Sequence, residues 1–238
     1  MSTARKLRWT AVAVTAGLLS TPAPANAGTP VDSLSLNGSA TIARFGPGIR
    51  VLRLTNGGYE QMGSAWANRQ IDINKSFEST FVVYLHHGRS GADGVAFILQ
   101  ASGPRALGGW GGGLGYRGLK RSVAVEFDDF RNGTDPNDNH IALVVNNNPD
   151  FHLTSVEPPF PLFRTPFVAR VVWDAPAGRL RVYASPLGQG GEPGLVFDQT
   201  VDLRARLGTN LAWIGFTGAT GGVTSVQDIL SWQIRVPR

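Results

Sequence analysis

The sequence predicts one all-β domain, a β-sandwich or jelly roll, and three observations carry that prediction. Short runs rich in β-branched and aromatic residues recur along the chain, several of them alternating polar with apolar positions as a half-buried strand requires. The 30 glycines and 15 prolines are spread through the 238 residues rather than gathered into a linker. Beyond the N-terminal segment, no stretch joins 3.6-residue periodicity to helix caps. Many short strands with turn signals and no helices belong to sandwich and barrel architectures.

The N-terminal segment reads differently. Arg5, Lys6 and Arg8 form a basic start, Trp9 to Leu19 is apolar, and Ala25-Asn26-Ala27 is a small-x-small cleavage pattern. That is the layout of a secretory signal peptide, expected at residues 1–27. Its apolar stretch is too short to span a bilayer, and no other apolar run approaches ~18 residues. The expected location is therefore secreted or extracellular, with no transmembrane segment. The formal net charge is +5, and the three cations of this segment account for most of it. The remainder carries too small a balance to imply a phosphate-binding patch, so no nucleic-acid partner is expected. With no cysteine in the chain, disulfide scaffolds, cysteine nucleophiles and zinc ribbons are excluded.

The strands follow in order. Phe81–Leu85, Val123–Phe127 and Ile141–Val145 are apolar runs, and Ala169–Trp173, Leu180–Tyr183 and Ile229–Ile234 follow them. Ala175-Pro176-Ala177-Gly178 separates two of these runs and reads as a hairpin turn. His86 and His87, ahead of Gly88, read as surface residues at a strand end. No biased linker or repeat divides residues 28–238, so one domain is expected there.

One segment departs from this texture. From Glu126 to His140 the chain holds five acids, several amides and a histidine. Glu126 and Asp128 are two apart on a predicted strand and share a face. The apolar neighbours Val125 and Phe127 suggest the inner face or a sheet edge. Carboxylates so close raise each other's pKa unless a cation lies between them. Carboxylates with an imidazole suit a transition ion such as manganese. Carboxylates with an amide oxygen and backbone carbonyls suit calcium. The same residues also read as a hydrophilic loop after a strand, and spacing alone does not separate the two.

The segment resembles the metal-binding signature of the legume-type (L-type) lectins. That signature is Glu-Phe-Asp-Thr-Phe, an Asn two residues on, Asp-Pro, and a His four residues after the Pro. Here these are Glu126-Phe127-Asp128-Asp129-Phe130, Asn132, Asp135-Pro136 and His140, with Asp129 in place of Thr. The resemblance continues in Ala92-Asp93-Gly94-Val95-Ala96-Phe97 and Gly112-Gly113-Leu114-Gly115-Tyr116. It extends through Ile141 to Asn146, Ile214 to Gly221 and Ile229-Leu230-Ser231-Trp232, in the family order. A weaker match runs from Leu34 to Thr55, so nearly all of residues 28–238 is covered.

The resemblance implies a concanavalin-like jelly-roll sandwich and a metal-dependent carbohydrate-binding protein without catalysis. Glu126, Asp128, Asp135 and His140 would hold Mn2+ or another transition ion. Asp128, Asn132, Asp135 and the Phe130 carbonyl would hold Ca2+. The sugar site would combine Asp93, Asn132, Phe130 and a backbone N–H at Gly112 or Gly113, with Gly222 and Val223 on the selecting rim. The family also implies a cis peptide between Ala92 and Asp93, and homodimers or higher homo-oligomers. Trp110 reads either as a stacking platform for a second sugar ring or as loop packing.

Two other classes stay in view. Laminarinase-type glycoside hydrolases share the broad architecture and carry Glu-x-Asp-x-x-Glu on a strand. Glu126-Phe127-Asp128 begins that way, but positions 130 and 131 are Phe and Arg, so the second carboxylate that retaining hydrolysis needs is missing. A structural or adhesion domain that binds no sugar is the other. Asn37-Gly38-Ser39 and Asn132-Gly133-Thr134 match the N-glycosylation pattern, and a glycan on Asn132 would block its calcium role. Lys6, Lys75 and Lys120 are the only lysines; the arginine excess suggests a GC-rich genome and a bacterial source.

Overall fold

The computed structural model describes residues 33–88, 90–145 and 147–236. The expected signal peptide at 1–27 lies outside the described residues. Among the described residues, fifteen strands form two antiparallel sheets, as the sequence predicts. One sheet runs in the order β1 (Leu34–Gly38), β4 (Met62–Ala67), β14 (Leu211–Ala219), β7 (Gly94–Gln100), β8 (Ser122–Asp128), β9 (His140–Val144) and β10 (Thr154–Val156). The short β5 (Ile71–Asp72) also pairs with β14. The other sheet runs β13 (Gly194–Thr200), β12 (Arg179–Pro186), β11 (Phe167–Asp174), β6 (Phe77–His86), β15 (Val226–Arg235), β3 (Arg50–Asn56) and β2 (Thr41–Arg44). The expected hairpin joins β11 to β12, with Gly178 at φ +61° closing the turn. The helical exceptions among the described residues are a one-turn α1 (Leu203–Leu207), capped by Asp202, and a 3-10 turn at Gly111–Gly113.

The two sheets bury one apolar core between them. Phe81 stacks on Phe97 at 5.3 Å between centroids and meets Phe216 and Phe127 edge-on, and Trp232 meets Phe216 at 4.9 Å. Such offset and edge-to-face contacts suit the ring quadrupoles. The tryptophan N–H groups find acceptors: Trp232 donates to Ser79 Oγ, Trp173 to the Ile73 carbonyl and Trp66 to the Ala106 carbonyl.

Strands β6 and β11 alternate buried with half-buried residues, because their second face is partly open. Strands β7, β8 and β9 are buried at every position. The glycine-rich stretch before β8 explains the difference. It folds back across the outer face of the first sheet, where Leu114, Tyr116 and Leu119 join Trp66, Ala96, Ile98, Ala124 and Val144 in a second cluster. This layer corrects one expectation. Val125 and Phe127 point into the core between the sheets, so Glu126 and Asp128 point the other way, beneath the glycine-rich layer. Nor is their strand an edge, since β8 lies between β7 and β9.

A second correction concerns His86. It is 3% exposed, and its Nε2 lies 2.9 Å from Asp228 Oδ2, while Arg53 grips both oxygens of the same carboxylate at 2.8 Å. His86 is thus a buried hydrogen-bond partner of Asp228 rather than a surface residue; His87 beside it is exposed.

Candidate functional site

The site lies on the outer face of the first sheet, at the end where β7 begins and β8 finishes. Antiparallel register does much of the assembly. Asp128 is paired directly with Gly94 on one side and His140 on the other, so Asp93, the metal-motif carboxylates and the histidine meet across three strands. Asp135 comes from the loop between β8 and β9. That loop is shaped by short contacts: Phe130 N–H donates to Asp128 Oδ1 at 2.8 Å, Asn132 N–H to Asp135 Oδ2 at 2.7 Å, and Asp135 N–H to the Asn132 carbonyl at 3.2 Å.

Glu126, Asp128, Asp135 and His140 are all buried, and their ligand atoms cluster. Asp128, Asp135 and His140 bring an oxygen or nitrogen each within 4.8 Å of one another, and so do Glu126, His140 and His152. His152 has no place in the sequence motif. It arrives from the loop ahead of β10, with Nε2 3.2 Å from Glu126 Oε2 and 3.9 Å from Asp135 Oδ1. Tyr116, delivered by the glycine-rich layer, donates its hydroxyl to Glu126 Oε1. Neither partner is legible from spacing. His152 comes from a segment whose only sequence signal is a lone histidine in a loop, while Tyr116 closes the glycine-rich segment that carries part of the resemblance.

The electrostatics follow from burial. Desolvation raises the Glu126 and Asp128 carboxyls above the usual range; the charge of Glu126 raises Asp128 further, while His152 and Tyr116 hold Glu126 back. Burial lowers His140. Its Nδ1 sits 3.2 Å from the Asn137 carbonyl, which can only accept, so Nδ1 carries the proton and Nε2 offers its lone pair. Glu126 Oε2, His140 Nε2 and His152 Nε2 are buried without a hydrogen-bond partner.

Beside this cluster Asp93 and Asn132 meet the backbone of Gly111, Gly112 and Gly221. The Ala92–Asp93 peptide is cis, as the resemblance implies. Asp93 is 3% exposed, with Oδ1 facing Asn132 Nδ2 at 3.5 Å and Oδ2 without a partner. Burial raises its carboxyl to about 6, which the Asn132 amide opposes and the Asp135 charge reinforces. Gly111 and Gly221 pack so closely to Asp93 Oδ2 that a Cβ on Gly221 would stand 3.5 Å from it and one on Gly111 4.0 Å. A Cβ on Gly112 would lie 2.6 Å from the Asn132 side chain, so that approach requires glycine. Phe130 is half-buried, Gly222 is exposed and Val223 is half-buried with its carbonyl accepting from Gly221 N–H. Gly113 stands apart: it is buried and its N–H is spent on the Trp110 carbonyl. Trp110 is half exposed, and its ring edge comes within 3.9 Å of where a Gly221 Cβ would sit.

Asp129, the departure from the family pattern, points away from this group. Its Oδ2 lies against Gly91, on the side of Phe163, and both its oxygens are buried without partners. Burial, with Asp93 adding to it, raises the carboxyl to about 8. A carboxyl raised on folding costs stability that is absent below its unfolded pKa and grows as pH rises to the folded one. Asp129→Thr is therefore expected to stabilise the chelator-treated protein by about 1–3 kcal/mol, the cost of an unsatisfied buried group. The gain should be larger in urea denaturation at pH 8 than at pH 5; an equal or opposite effect would refute it.

A jelly roll of two antiparallel sheets, with a carboxylate–histidine cluster beside a glycine-walled acid, defines a lectin-type carbohydrate-binding fold. The legume lectin beta-barrel domain matches residues 26–231, and the chain belongs to that family. A lectin from Onobrychis viciifolia is 30% identical over 176 residues, covering 71% of this chain and 70% of its own. A lectin-related protein from Cladrastis kentukea is 28% identical over 220 residues, covering 84% and 73%. Among solved structures, basic winged bean lectin with Tn-antigen superposes with a TM-score of 0.74 at 25% identity, over 88% of this chain and 95% of its own. The lectin from Bauhinia forficata in complex with GalNAc gives 0.72 at 25% identity, over 87% and 93%. The relatives named here are lectins and a lectin-related protein, and the family match places this chain in the same class.

Proposed function

We propose that this chain is a secreted lectin whose sugar site is assembled around Asp93 and ordered by two metal ions. The observation that carries the reading is the buried Asp93 Oδ2, left without a partner at the meeting point of Asn132, the Gly111–Gly112 backbone and Gly221. An ionised acceptor flanked by the backbone of Gly111 and Gly221 suits a ligand that donates several hydroxyls at close range. Gly112 N–H, which takes no part in the turn's own hydrogen bonds, is the donor on that wall, and Asn132 Nδ2 is a second. Phe130 and Trp110 offer apolar faces for the C–H side of sugar rings.

The donor set fits the metals. Buried carboxylates with raised pKa and unpartnered ligand atoms are what remains of a cation site when only protein groups are counted. Glu126, Asp128, Asp135 and His140 would hold Mn2+ or a similar ion; Asp128, Asn132, Asp135 and the Phe130 carbonyl would hold Ca2+. The ions supply fixed positive charge that orders the loop. The residues would do the recognition: Asn132 would offer its amide oxygen to calcium and leave its nitrogen, which faces Asp93 Oδ1 at 3.5 Å, to donate to the ligand. Sugar binding is weak, so ordering the loop beforehand removes a cost the ligand would otherwise bear.

Residues 1–27 are taken as the export signal and 28–238 as the lectin domain. Among the described residues no helix is long and apolar enough to cross a membrane. The relatives above are plant proteins, so the bacterial expectation rests on the arginine-rich composition alone.

A glycan array with and without chelator tests the reading. GalNAc and Tn-antigen belong on it, since two structural relatives hold them. Binding lost with the chelator and restored by Ca2+ with Mn2+ is expected. A blank array in the metal-loaded state would move the chain to a non-binding member of its fold, and release of reducing ends from β-glucans would point to hydrolysis.

A further inference from the structure

The motif supplies one imidazole to the metal cluster, but the fold supplies two. His152 is held by contacts on both sides of it. Arg117 reaches Asn148 Oδ1 at 2.9 Å and both oxygens of Asp150 at 2.6 and 2.8 Å, and Leu153 N–H donates to the Leu143 carbonyl at 2.7 Å. The loop is thus pinned before and after the histidine, and the side chain is only 10% exposed. Its ring lies 5.1 Å from that of His140.

The orientation of the atoms decides between two roles. As a counter-ion, His152 would direct an Nε2 proton at Glu126. The two atoms are 3.2 Å apart, close enough for an ionic contact that raises His152, but they are not aligned as a hydrogen bond, and His140 Nε2 likewise has no hydrogen-bond partner. Glu126, His140 and His152, from β8, β9 and the following loop, each bring one ligand atom within 4.8 Å of the others, and Glu126 Oε2, His140 Nε2 and His152 Nε2 have no hydrogen-bond partner. That is the arrangement of ligands aimed at a shared point. The large majority of buried side-chain polar atoms find partners.

We propose that His152 is a direct ligand of the transition ion and makes the site a two-imidazole centre, selecting a nitrogen-preferring ion such as Zn2+ or Co2+ over Mn2+. The proposal rests on the metal reading above. Oxygen-rich sets suit Mn2+ and Mg2+, while imidazole suits Zn2+, Co2+ and Ni2+, which also stand higher in the general affinity order. Exchanging an oxygen donor for a second imidazole moves the site along that order. The ligating imidazole is neutral, so His152 gives up any proton it shares with Glu126 when the ion enters.

The test is X-ray absorption on the Zn2+- and Ca2+-loaded protein, with competition between Zn2+ and Mn2+ for wild type, His152→Ala and His152→Gln. Two imidazoles around zinc are expected in wild type and one in the variants. Zn2+ affinity should fall by at least about tenfold in the variants, the lower bound for losing even an outer partner. Ca2+ affinity should stay unchanged, which certifies the fold. One imidazole in wild type, with equal Zn2+ affinity in the variants, would overturn the proposal and leave His152 as a counter-ion. Failure of wild type to take up any transition ion, with His140→Ala indistinguishable from it, would overturn the two-metal reading itself.

Discussion

Replacing Asp93 by alanine is expected to abolish sugar binding while leaving the fold at least as stable. The carboxylate is buried, its Oδ2 has no hydrogen-bond partner, and among the described residues its one side-chain hydrogen bond is the long 3.5 Å approach of Asn132 Nδ2 to Oδ1. What holds this segment is backbone: Asp93 N–H donates to the Ala219 carbonyl at 2.9 Å, and the Asp93 carbonyl accepts from Asp129 N–H. Truncation leaves those bonds in place. Two hydrogen bonds from sugar hydroxyls to an ionised acceptor contribute about 1.5–3 kcal/mol each. Losing both removes at least about a hundredfold in affinity, which takes a weak monosaccharide complex beyond detection. Asp93→Asn should fail nearly as far, because one oxygen becomes a donor facing other donors. Stability runs the other way. Burial raises this carboxyl to about 6, so its ionisation costs the folded state increasingly as pH rises from about 4 to 6, and removing it lifts that cost at neutral pH. Calorimetric titration beside urea denaturation separates the two effects. Retained sugar affinity in Asp93→Ala would place the site elsewhere.

How much of this was legible depends on what each residue's environment owes to distant chain. Strands β6, β11 and β12 are readable because one face is partly open and alternation survives. Strands β7, β8 and β9 read only as continuous apolar runs, since a second layer covers them, and nothing in their own periodicity announces it. That hidden layer is why the sequence points Glu126 and Asp128 to the inner face or a sheet edge. The ligand motif was legible because its residues sit within one strand–loop–strand unit. His86 was misread because its partner Asp228 lies 142 residues away, and Asp228 meets Arg53 across 175. His152 is close in sequence to His140 but carries no signal of its own. Its role depends on Arg117 and Asp150 folding the intervening loop back over Glu126, which no spacing rule encodes.

Removing the metals is expected to lower the melting temperature, and the gap between loaded and chelated protein should widen as pH rises from 5 to 8. An ion present at about a thousand times its dissociation constant stabilises the native state by about 4 kcal/mol, so chelation alone is a large change. The pH trend has a definite sign. In the metal-free fold, burial holds the Glu126 and Asp128 carboxyls above their unfolded values, with Glu126 adding its charge to Asp128. Their protonated forms suit that fold, and raising the pH through the gap between unfolded and folded pKa takes stability away. His152 acts in the same direction. The neighbouring Glu126 raises its pKa, so the contribution it makes when protonated is lost on the alkaline side. His140, lowered by burial, works against the trend, but it is one group against three. In the loaded protein the order reverses, because every ligand must be deprotonated to bind and protons compete with the ions. Alkaline conditions therefore weaken the chelated protein and strengthen the loaded one. Thermal melts at pH 5, 6, 7 and 8, with excess Ca2+ and Mn2+ or with chelator, measure both curves. Parallel curves would mean that these buried carboxylates are not metal ligands and that their burial serves the fold alone.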